Sequence, residues 1–315
     1  AALNPVVALY ASGAAEASKR DKQRLRAACT RAVWGQANGW RSAEVVYNLF
    51  CKGHITDVVQ AAAYHTLNTA RRVLIRHEDA RQLYWDVCQR RLSAHSQQVQ
   101  GPVNSLEKAA RAAGLGFSAP GLMIPLPGRH LAGEVYLAMP DTGKFQHMIR
   151  EGLRQEQWRA LSLRRKTFEG VHVGVDRTAT RCTMSRVNGL QRYRLRCIMS
   201  GALPTMKRLH KRGGVESPLC AACGLEEETV EHIFLRCPRY QGIRCRELNQ
   251  ACWDEMPNCL RLHGLLPCGL LPPGVSAPAA SDDLAAFAAR VQYTQLDILQ
   301  ARESFTPWAP PQPGG

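Results

Sequence analysis

Hydrophobic positions in the first part of this chain recur every three or four residues, which is the spacing of one face of an α-helix. The pattern predicts a helix over residues 25–33, a helix capped by Ser42, and two further helices over about 56–73 and 79–92. Their charged residues lie mainly between the apolar positions and are predominantly Arg and Lys. The pattern therefore predicts a helical region over residues 1–93.

The pattern changes between residues 94 and 143. A polar stretch, SAHSQQVQGPVNS, predicts a linker, and GLGFSAPGLMIPLPGRHLAG holds too many Gly and Pro residues for a long helix. A short strand or an extended loop is expected at residues 131–139. The region is either a hinge between two helical parts or an insertion with its own small hairpin, and the sequence leaves both open.

Helical spacing returns at Lys144 and continues, with breaks, to residue 268. The apolar face of the first helix is formed by Phe145, Met148, Ile149, Leu153, Trp158 and Leu161. Residues 269–315 then form a Pro/Gly linker, a final amphipathic helix with Leu284, Phe287, Val291 and Ile298 facing inward, and a tail expected to be disordered. The predicted fold class is mainly α.

Within this helical framework, residues 220–237 (CAACGLEEETVEHIFLRC) have the spacing of a four-ligand zinc site. Cys220 and Cys223 flank a two-residue turn, and His232 and Cys237 follow at the pattern C-x2-C-x8-H-x4-C. Thiolates and imidazole suit Zn²⁺, and four protein ligands leave no open position for a reactive water. The spacing predicts a structural zinc ion in a small CCHC knuckle, against the alternative of buried thiols beside a surface histidine.

Residues around the ligands support the zinc interpretation. Gly224 stands where a knuckle needs positive φ, Thr229 can cap a helix that begins near Val230, and Pro238 can end that helix. The later cysteines, from Cys245 onward, have no compact paired spacing and are expected to be buried or free thiols. Cysteines scattered along the rest of the chain favour a reducing, intracellular compartment.

Charge adds a second signal. The chain has a formal net charge of +15 and a pI near 9.6, so a polyanionic partner is expected, with nucleic acid ahead of a membrane surface, and nothing in the sequence is predicted to span a bilayer. Between residues 177 and 215 there is no Asp or Glu. The cations of this stretch, which we take as candidate nucleic-acid contacts, are Arg177, Arg181, Arg186, Arg192, Arg194, Arg196, Lys207, Arg208, Lys211 and Arg212.

Two segments resemble a known family. SPLCAACGLEEETVEHIFLRCPRY, with its lead-in RLRCIMSGALPTMKRLHKRGG, is similar to the zinc-binding segment near the C-terminus of non-LTR (LINE-like) retrotransposon reverse transcriptases. LRAACTRAVWGQANGWRSAEVVYNLFCKGHITDVVQAAAYHTLNTARRVL resembles the thumb-side helices that follow the polymerase palm in these elements. The resemblance implies a C-terminal fragment of an RNA-directed DNA polymerase polyprotein, with the palm upstream in the same polypeptide and a nuclear location.

The sequence holds no recognisable set of catalytic carboxylates. Asp282 and Asp283 form the one Asp-Asp pair, but they follow a Pro/Ala-rich linker and open a helix, where capping explains them. Whether the chain has enzymatic activity of its own is therefore uncertain. Two functions remain: a nucleic-acid-binding part of a reverse transcriptase that grips template, primer or target, or a zinc-stabilised helical module for protein-protein interaction.

Overall fold

The computed structural model describes residues 41–50, 58–93, 102–118, 121–125, 132–248, 250–269 and 281–305, together with residues 18, 20, 21, 23–25, 27 and 28. The end of the predicted helix over 25–33 and the tail after residue 305 lie outside these described residues. The chain divides into two compact units, the first made of residues 1–37 and 43–160 and the second of residues 38–42 and 161–315.

The first unit combines helices with one small sheet. Its helices are α1 (Ala43–Val45), which continues as a π-helical turn (Val46–Phe50), α2 (Val58–Arg76), α3 (Glu78–Ser93), α4 (Pro102–Ala112) and α5 (Thr142–Arg164). The strands β1 (Gly116–Ser118), β2 (Gly121–Pro125) and β3 (Ala132–Tyr136) form an antiparallel sheet in the order β1-β2-β3. Leu122 pairs with Phe117 on one side and with Val135 on the other.

An apolar cluster holds this unit together. Leu67 of α2, Ala110 of α4, Leu122 of β2 and both Phe145 and Leu153 of α5 are fully or almost fully buried in it. The elements that contribute to this cluster present their apolar sides to it, as helical spacing and strand alternation require. The first unit is therefore stabilised mainly by burial of apolar surface.

The second unit consists of several short helices and one long helix around the candidate zinc segment. Two 3₁₀ turns (Lys166–Phe168 and Val171–Val173) precede α6 (Arg177–Arg186), α7 (Gly189–Met199) and α8 (Met206–His210). After the zinc segment come a 3₁₀ turn (Pro238–Tyr240), α9 (Gln241–Glu247), α10 (Gln250–Glu255), α11 (Asn258–His263) and α12 (Ser281–Glu303). The side chains of Asp176, Asn188 and Thr205 cap α6, α7 and α8 by accepting backbone N–H groups.

Helix α12 packs inside the second unit. Phe287, Ala288 and Val291 of this helix share an apolar cluster with Trp253 of α10 and Leu260 of α11. The indole Nε1 of Trp253 donates to the backbone oxygen of Arg244 at 3.0 Å, so the buried ring also satisfies its polar atom. The terminal amphipathic helix predicted from the sequence is therefore present and buried on its apolar side.

The predicted mainly α fold is confirmed, and so is the predicted strand or extended segment at residues 131–139, where β3 lies. The prediction of a linker at SAHSQQVQGPVNS was wrong at its end, because α4 begins at Pro102. Proline fits the first position of a helix, and Val103 and Leu106 of α4 are buried against the core. None of the helices in the described part of the chain has the length and hydropathy of a membrane-spanning segment.

Candidate metal centre and surrounding cations

The four residues predicted to bind zinc come together. One ligand atom from each of Cys220, Cys223, His232 and Cys237 lies within 4.8 Å of the others. The Sγ atoms of Cys220 and Cys237 are 3.9 Å apart, and Sγ of Cys223 is 3.3 Å from Nε2 of His232. Two thiolates on one tetrahedral Zn²⁺ are about 3.8 Å apart, given Zn–S bonds of about 2.3 Å. The donor set and its spacing fit a structural zinc ion.

A tight turn presents the first two thiols. The backbone N–H of Gly224 donates to the carbonyl of Cys220 at 2.7 Å, and the N–H of Cys220 donates to the carbonyl of Glu226 at 2.8 Å. Gly224 has φ of 69°, in the left-handed region, which confirms the prediction made for this position. These two hydrogen bonds fold the loop back so that both sulfurs face the same side.

A π-helical turn presents the other two ligands. Residues His232–Arg236 have π geometry, and the N–H of Cys237 donates to the carbonyl of His232 at 2.7 Å. In an α-helix, residues five apart would point about 140° away from each other, since each residue turns by about 100°. The wider π turn reduces this mismatch, so both side chains can reach one ion. Sequence spacing alone predicted an ordinary helix here, because π turns have no simple sequence signature.

The carboxylate of Glu226 orients the imidazole of His232. Its Nδ1 lies 3.1 Å from the Oε2 carboxylate oxygen of Glu226, which leaves Nε2 facing the thiols. The hydroxyl of Thr229 accepts the backbone N–H of His232 at 3.0 Å, so the predicted cap is confirmed. Carboxylates in this position fix the tautomer and orientation of zinc-bound imidazoles. Sequence analysis missed Glu226, although it lies in the acidic run between the two ligand pairs.

The thiols differ in their surroundings. Burial raises the pKa of Cys237 to about 12 and also raises the pKa of Cys220. Burial opposes ionisation of Cys223 too, but hydrogen bonds from the Leu225 backbone and from the neighbouring thiols outweigh it, so the pKa of Cys223 is lowered. A metal ion that binds here must displace protons from the two buried thiols, so zinc binding depends on pH.

The ten cations predicted as nucleic-acid contacts differ in exposure. Six are exposed: Arg181, Arg186, Arg192, Lys207, Lys211 and Arg212. The other four, Arg177, Arg194, Arg196 and Arg208, are partly buried. The stretch therefore does not present its charge evenly, a difference that sequence alone did not reveal.

Some of these cations have partners within the protein. Arg208 donates to the carbonyls of Gly201 and Leu203 at 2.9 and 2.8 Å, and burial lowers its pKa to about 10. Arg192 donates to two carbonyls at the end of α6. Arg194 pairs with Glu303, and Lys207 pairs with Glu227 at 2.5 Å. Acids that are distant in sequence therefore neutralise part of a stretch that has none of its own.

Three of the cations form a group on α6 and α7: Arg181, Arg192 and Arg196. The pKa of Arg196 is lowered, first by partial burial and then by the positive charges of Arg192 and Arg181. Like charges repel one another, and a nearby anion would offset that repulsion. Arg181 and Arg192 are exposed, so the group is open to such an anion.

The remaining cysteines and histidines do not form a second metal site within the described residues. Cys259 and His263 are buried, and Cys245 is exposed. His263 stacks on Phe168 with ring centroids 3.9 Å apart, and its Nδ1 lies 2.9 Å from the carbonyl of Ile198. Cys259 and His263 therefore belong to the packing of the second unit, whereas Cys245 faces solvent.

Comparison with known families identifies the zinc segment. The family described as zinc-binding in reverse transcriptase matches residues 182–243, which run from α6 through the Cys and His cluster into α9. This part of the chain is related to reverse transcriptases and carries a zinc-binding region with a Cys3His cluster that could hold the ion. No curated protein and no solved structure matches the chain.

Proposed function

We propose that the chain is the nucleic-acid-binding C-terminal part of a non-LTR retrotransposon reverse transcriptase, in which Cys220, Cys223, His232 and Cys237 bind one structural zinc ion. The match over residues 182–243 is the observation that carries this proposal, because it links the metal cluster to reverse transcriptases. The resemblance of the first helical region to a polymerase thumb and the net charge of +15 support it. The polymerase palm would lie upstream in the same polypeptide.

The cations on α6 and α7 are the best candidates for phosphate contacts. Arg181 and Arg186 are exposed on α6, and the charge of Arg181 contributes to the lowered pKa of Arg196. A phosphate between these side chains would relieve their mutual repulsion and form charge-assisted hydrogen bonds with them. Lys211 and Arg212 extend the exposed charge from the end of α8 toward the zinc segment. Such contacts position a nucleic acid without reading its bases.

Zinc has a structural role in this proposal. The loop around the first two ligands is too short to bury an apolar core, so the metal holds its shape. With the loop fixed, the exposed Lys211 and Arg212, which precede it in the chain, would add their charges to those of α6 and α7. The region then binds template, primer or target through the phosphate backbone of the nucleic acid. Polymerisation itself is carried out by the palm.

An alternative function is supported by a different observation. Leu219 and Leu225, which flank the first two ligands, are 44% and 73% exposed. Apolar side chains at the tip of a rigid loop fit a protein partner better than a phosphate backbone. The alternative is a zinc-stabilised module for protein-protein interaction, whose positive charge serves solubility or an acidic partner.

Salt dependence of binding separates the two functions. We would measure the affinity of the zinc-loaded chain for labelled RNA and DNA by fluorescence anisotropy over a range of salt concentrations. Each phosphate contact lowers the slope of log K against log salt by roughly 0.7 for a single strand and 0.9 for a duplex. Replacing Arg181, Arg186, Lys211 and Arg212 together by Gln should therefore flatten the slope by up to about three units.

A matched variant controls for the loss of net charge. Replacing Lys108, Arg111, Lys144 and Lys166 by Gln removes four exposed cations outside the matched region and should leave the slope unchanged. Equal slopes in the parent and the first variant would refute the proposed surface. No measurable binding by the zinc-loaded parent would refute the nucleic-acid role and favour the protein-interaction function.

A further inference from the structure

The acidic run between the two ligand pairs makes one contact within the zinc segment and two with other parts of the second unit. Glu226 contacts the ligand His232, Glu227 pairs with Lys207 of α8, and Glu228 pairs with Arg302 near the end of α12. The first two acids are half exposed, with about 50% of each side chain accessible, whereas Glu228 is completely buried. A buried carboxylate needs strong hydrogen-bond or ionic partners, so the pairing of Glu228 with Arg302 indicates a specific contact between the zinc segment and α12.

Both oxygens of Glu228 are bound. Nη2 of Arg302 lies 2.7 Å from Oε1, and Nε of Arg302 lies 3.2 Å from Oε2, which is a two-point contact between guanidinium and carboxylate. Oε1 also accepts the backbone N–H of Met206 at 2.8 Å. The backbone of Glu228 is fixed as well, because its N–H donates to the carbonyl of Pro218 at 2.8 Å. The carboxylate is therefore held between the zinc segment, the start of α8 and α12.

Arg302 is also buried and has a further hydrogen-bond partner. It is 5% exposed, and its Nη2 also donates to the carbonyl of Pro204 at 2.9 Å. The ring of Tyr240, which lies shortly after Cys237 in the chain, is buried, and its pKa is raised by burial and by the nearby Cys220 and Cys237 thiols. The same ring is close enough to Arg302 and Glu228 for their charges to act on it. One buried region thus includes the metal ligands and the ion pair.

Further contacts tie α12 to the same region. Glu303 pairs with Arg194 of α7, and Asp297 lies 3.4 Å from Arg246 of α9. The guanidinium of Arg239, between the ligands and α9, lies 5.5 Å from the ring centroid of Phe305. Helix α12 begins at Ser281, well beyond the matched residues 182–243. The zinc-binding region therefore has a structural partner that the family match does not include.

We propose that Glu228 and Arg302 are positioning residues that make helix α12 part of the zinc module, so that zinc binding and α12 docking stabilise each other. The inference rests on the proposed ligand set. Zinc fixes the loop that carries Glu228, and an ordered Glu228 holds Arg302. Linkage is reciprocal, so a change that releases α12 must weaken zinc binding by the same factor that zinc removal weakens docking.

Hydrogen exchange on the unmodified chain tests the first half of the linkage. Amides of α12 near Arg302 should exchange faster when zinc is removed with a chelator, and protection should return when zinc is added back. Amides of α2 in the first unit provide an internal reference and should not change. Unchanged exchange near Arg302 after complete zinc removal would overturn the inference.

Zinc affinity of a variant tests the second half. Arg302→Gln leaves Glu228 buried without its cation and should weaken zinc binding, measured by competition with a chromogenic chelator, by roughly 5- to 150-fold. Arg290→Gln removes the same charge from an exposed position of the same helix and should leave zinc affinity unchanged. Equal affinities in Arg302→Gln and Arg290→Gln would contradict the proposal.

A double variant shows whether the pair itself is responsible. Glu228→Gln with Arg302→Gln removes both charges together, so zinc binding should recover relative to Arg302→Gln alone. A double variant whose loss of zinc affinity equals the sum of the losses in Glu228→Gln and Arg302→Gln would show that the two residues act independently, and it would overturn the coupling. The proposed ligand set fails separately, since in that case Cys223→Ser would retain zinc whatever residue stands at position 302.

Discussion

The first unit and the zinc loop of the second unit reach a defined structure by opposite means. In the first unit, residues such as Leu67, Phe145 and Leu153 are fully or almost fully buried in an apolar cluster. In the loop over residues 217–228, the buried residues are Cys220 and Glu228, while the leucines of the loop face solvent. Apolar burial therefore stabilises the first region, whereas metal ligation and a buried ion pair hold the second.

This difference explains why the two regions have different sequence patterns. An apolar core requires many positions at regular spacing, each of which contributes a little. A metal site requires four residues at fixed spacing, each of which is indispensable. Changes in the two regions should therefore differ both in size and in what they affect.

Loss of zinc is the largest expected effect. Cys223→Ser should reduce bound zinc from one ion per molecule to none, because a structural site with three remaining ligands loses much of a binding free energy of about 10–16 kcal/mol. Elemental analysis of the purified chain measures this directly. Helices of the first unit should persist in the metal-free protein, since they do not depend on the ion.

Cys245→Ser is the matched control for that variant. Cys245 is exposed on α9 and lies outside the cluster of ligands, so its replacement should leave one zinc ion per molecule. Retention of zinc by both variants would break the proposed site. Occupancy in the parent should also fall as the pH is lowered, because protons compete with zinc for the thiols.

A cavity in the first unit should have the next largest effect, with the opposite selectivity. Leu153 is 1% exposed on α5, and Leu153→Ala should lower the free energy of unfolding by about 2–5 kcal/mol. Leu163 lies on the same helix at 89% exposure, so Leu163→Ala should change stability little. Denaturant unfolding followed by circular dichroism measures both. Loss of zinc from Leu153→Ala would contradict the distinction between the two regions.

Helical spacing predicted much of this fold because apolar periodicity directly reflects burial. The faces of α5 and α12 were predicted correctly, and Phe145, Ile149, Phe287 and Val291 are all buried. Helix α4 was missed because it follows a polar stretch and its first turn contains Pro, Asn and Ser beside a single large apolar residue, Val103. Its buried positions, which include Ala109 and Ala110, depend on small residues that carry a weak hydrophobic signal.

The sequence predicted some parts of the candidate site and missed others. Ligand spacing indicated the four residues that come together in the Cys3His cluster, since the geometry of one ion restricts the spacing of its ligands. The partners of the charged residues were missed, because Arg302 and Glu228 are far apart in sequence and meet only in the folded chain. For the same reason, the absence of acids between residues 177 and 215 overstated how much positive charge stays unpaired.

A smaller effect is expected from the buried imidazole of the second unit. Burial lowers the pKa of His263 from 6.5 to about 3, so the unfolded chain binds this proton more readily than the folded one. The stability from a neutral His263 is complete above about pH 6.5 and falls below it, by about 1.4 kcal/mol per pH unit. His263→Phe should lack this loss between about pH 6.5 and 5.5, as measured by denaturant unfolding in excess zinc. A parent and variant with parallel pH profiles would show that His263 does not titrate as proposed.

The smallest expected effect comes from removing a single hydrogen bond of the zinc segment. The hydroxyl of Thr229 accepts the N–H of the ligand His232 at 3.0 Å, and removal of such a cap costs about 1 kcal/mol. Because the cap holds the turn that presents His232 and Cys237, Thr229→Ala should weaken zinc binding by somewhat less than about tenfold, the equivalent of 1.4 kcal/mol. Thr229→Ser keeps the hydroxyl and should restore the parent affinity in the same chelator competition. If Ser and Ala weakened zinc binding equally, the methyl group of Thr229 rather than its hydrogen bond would support the turn. If neither changed it, the metal alone would determine the geometry of the segment.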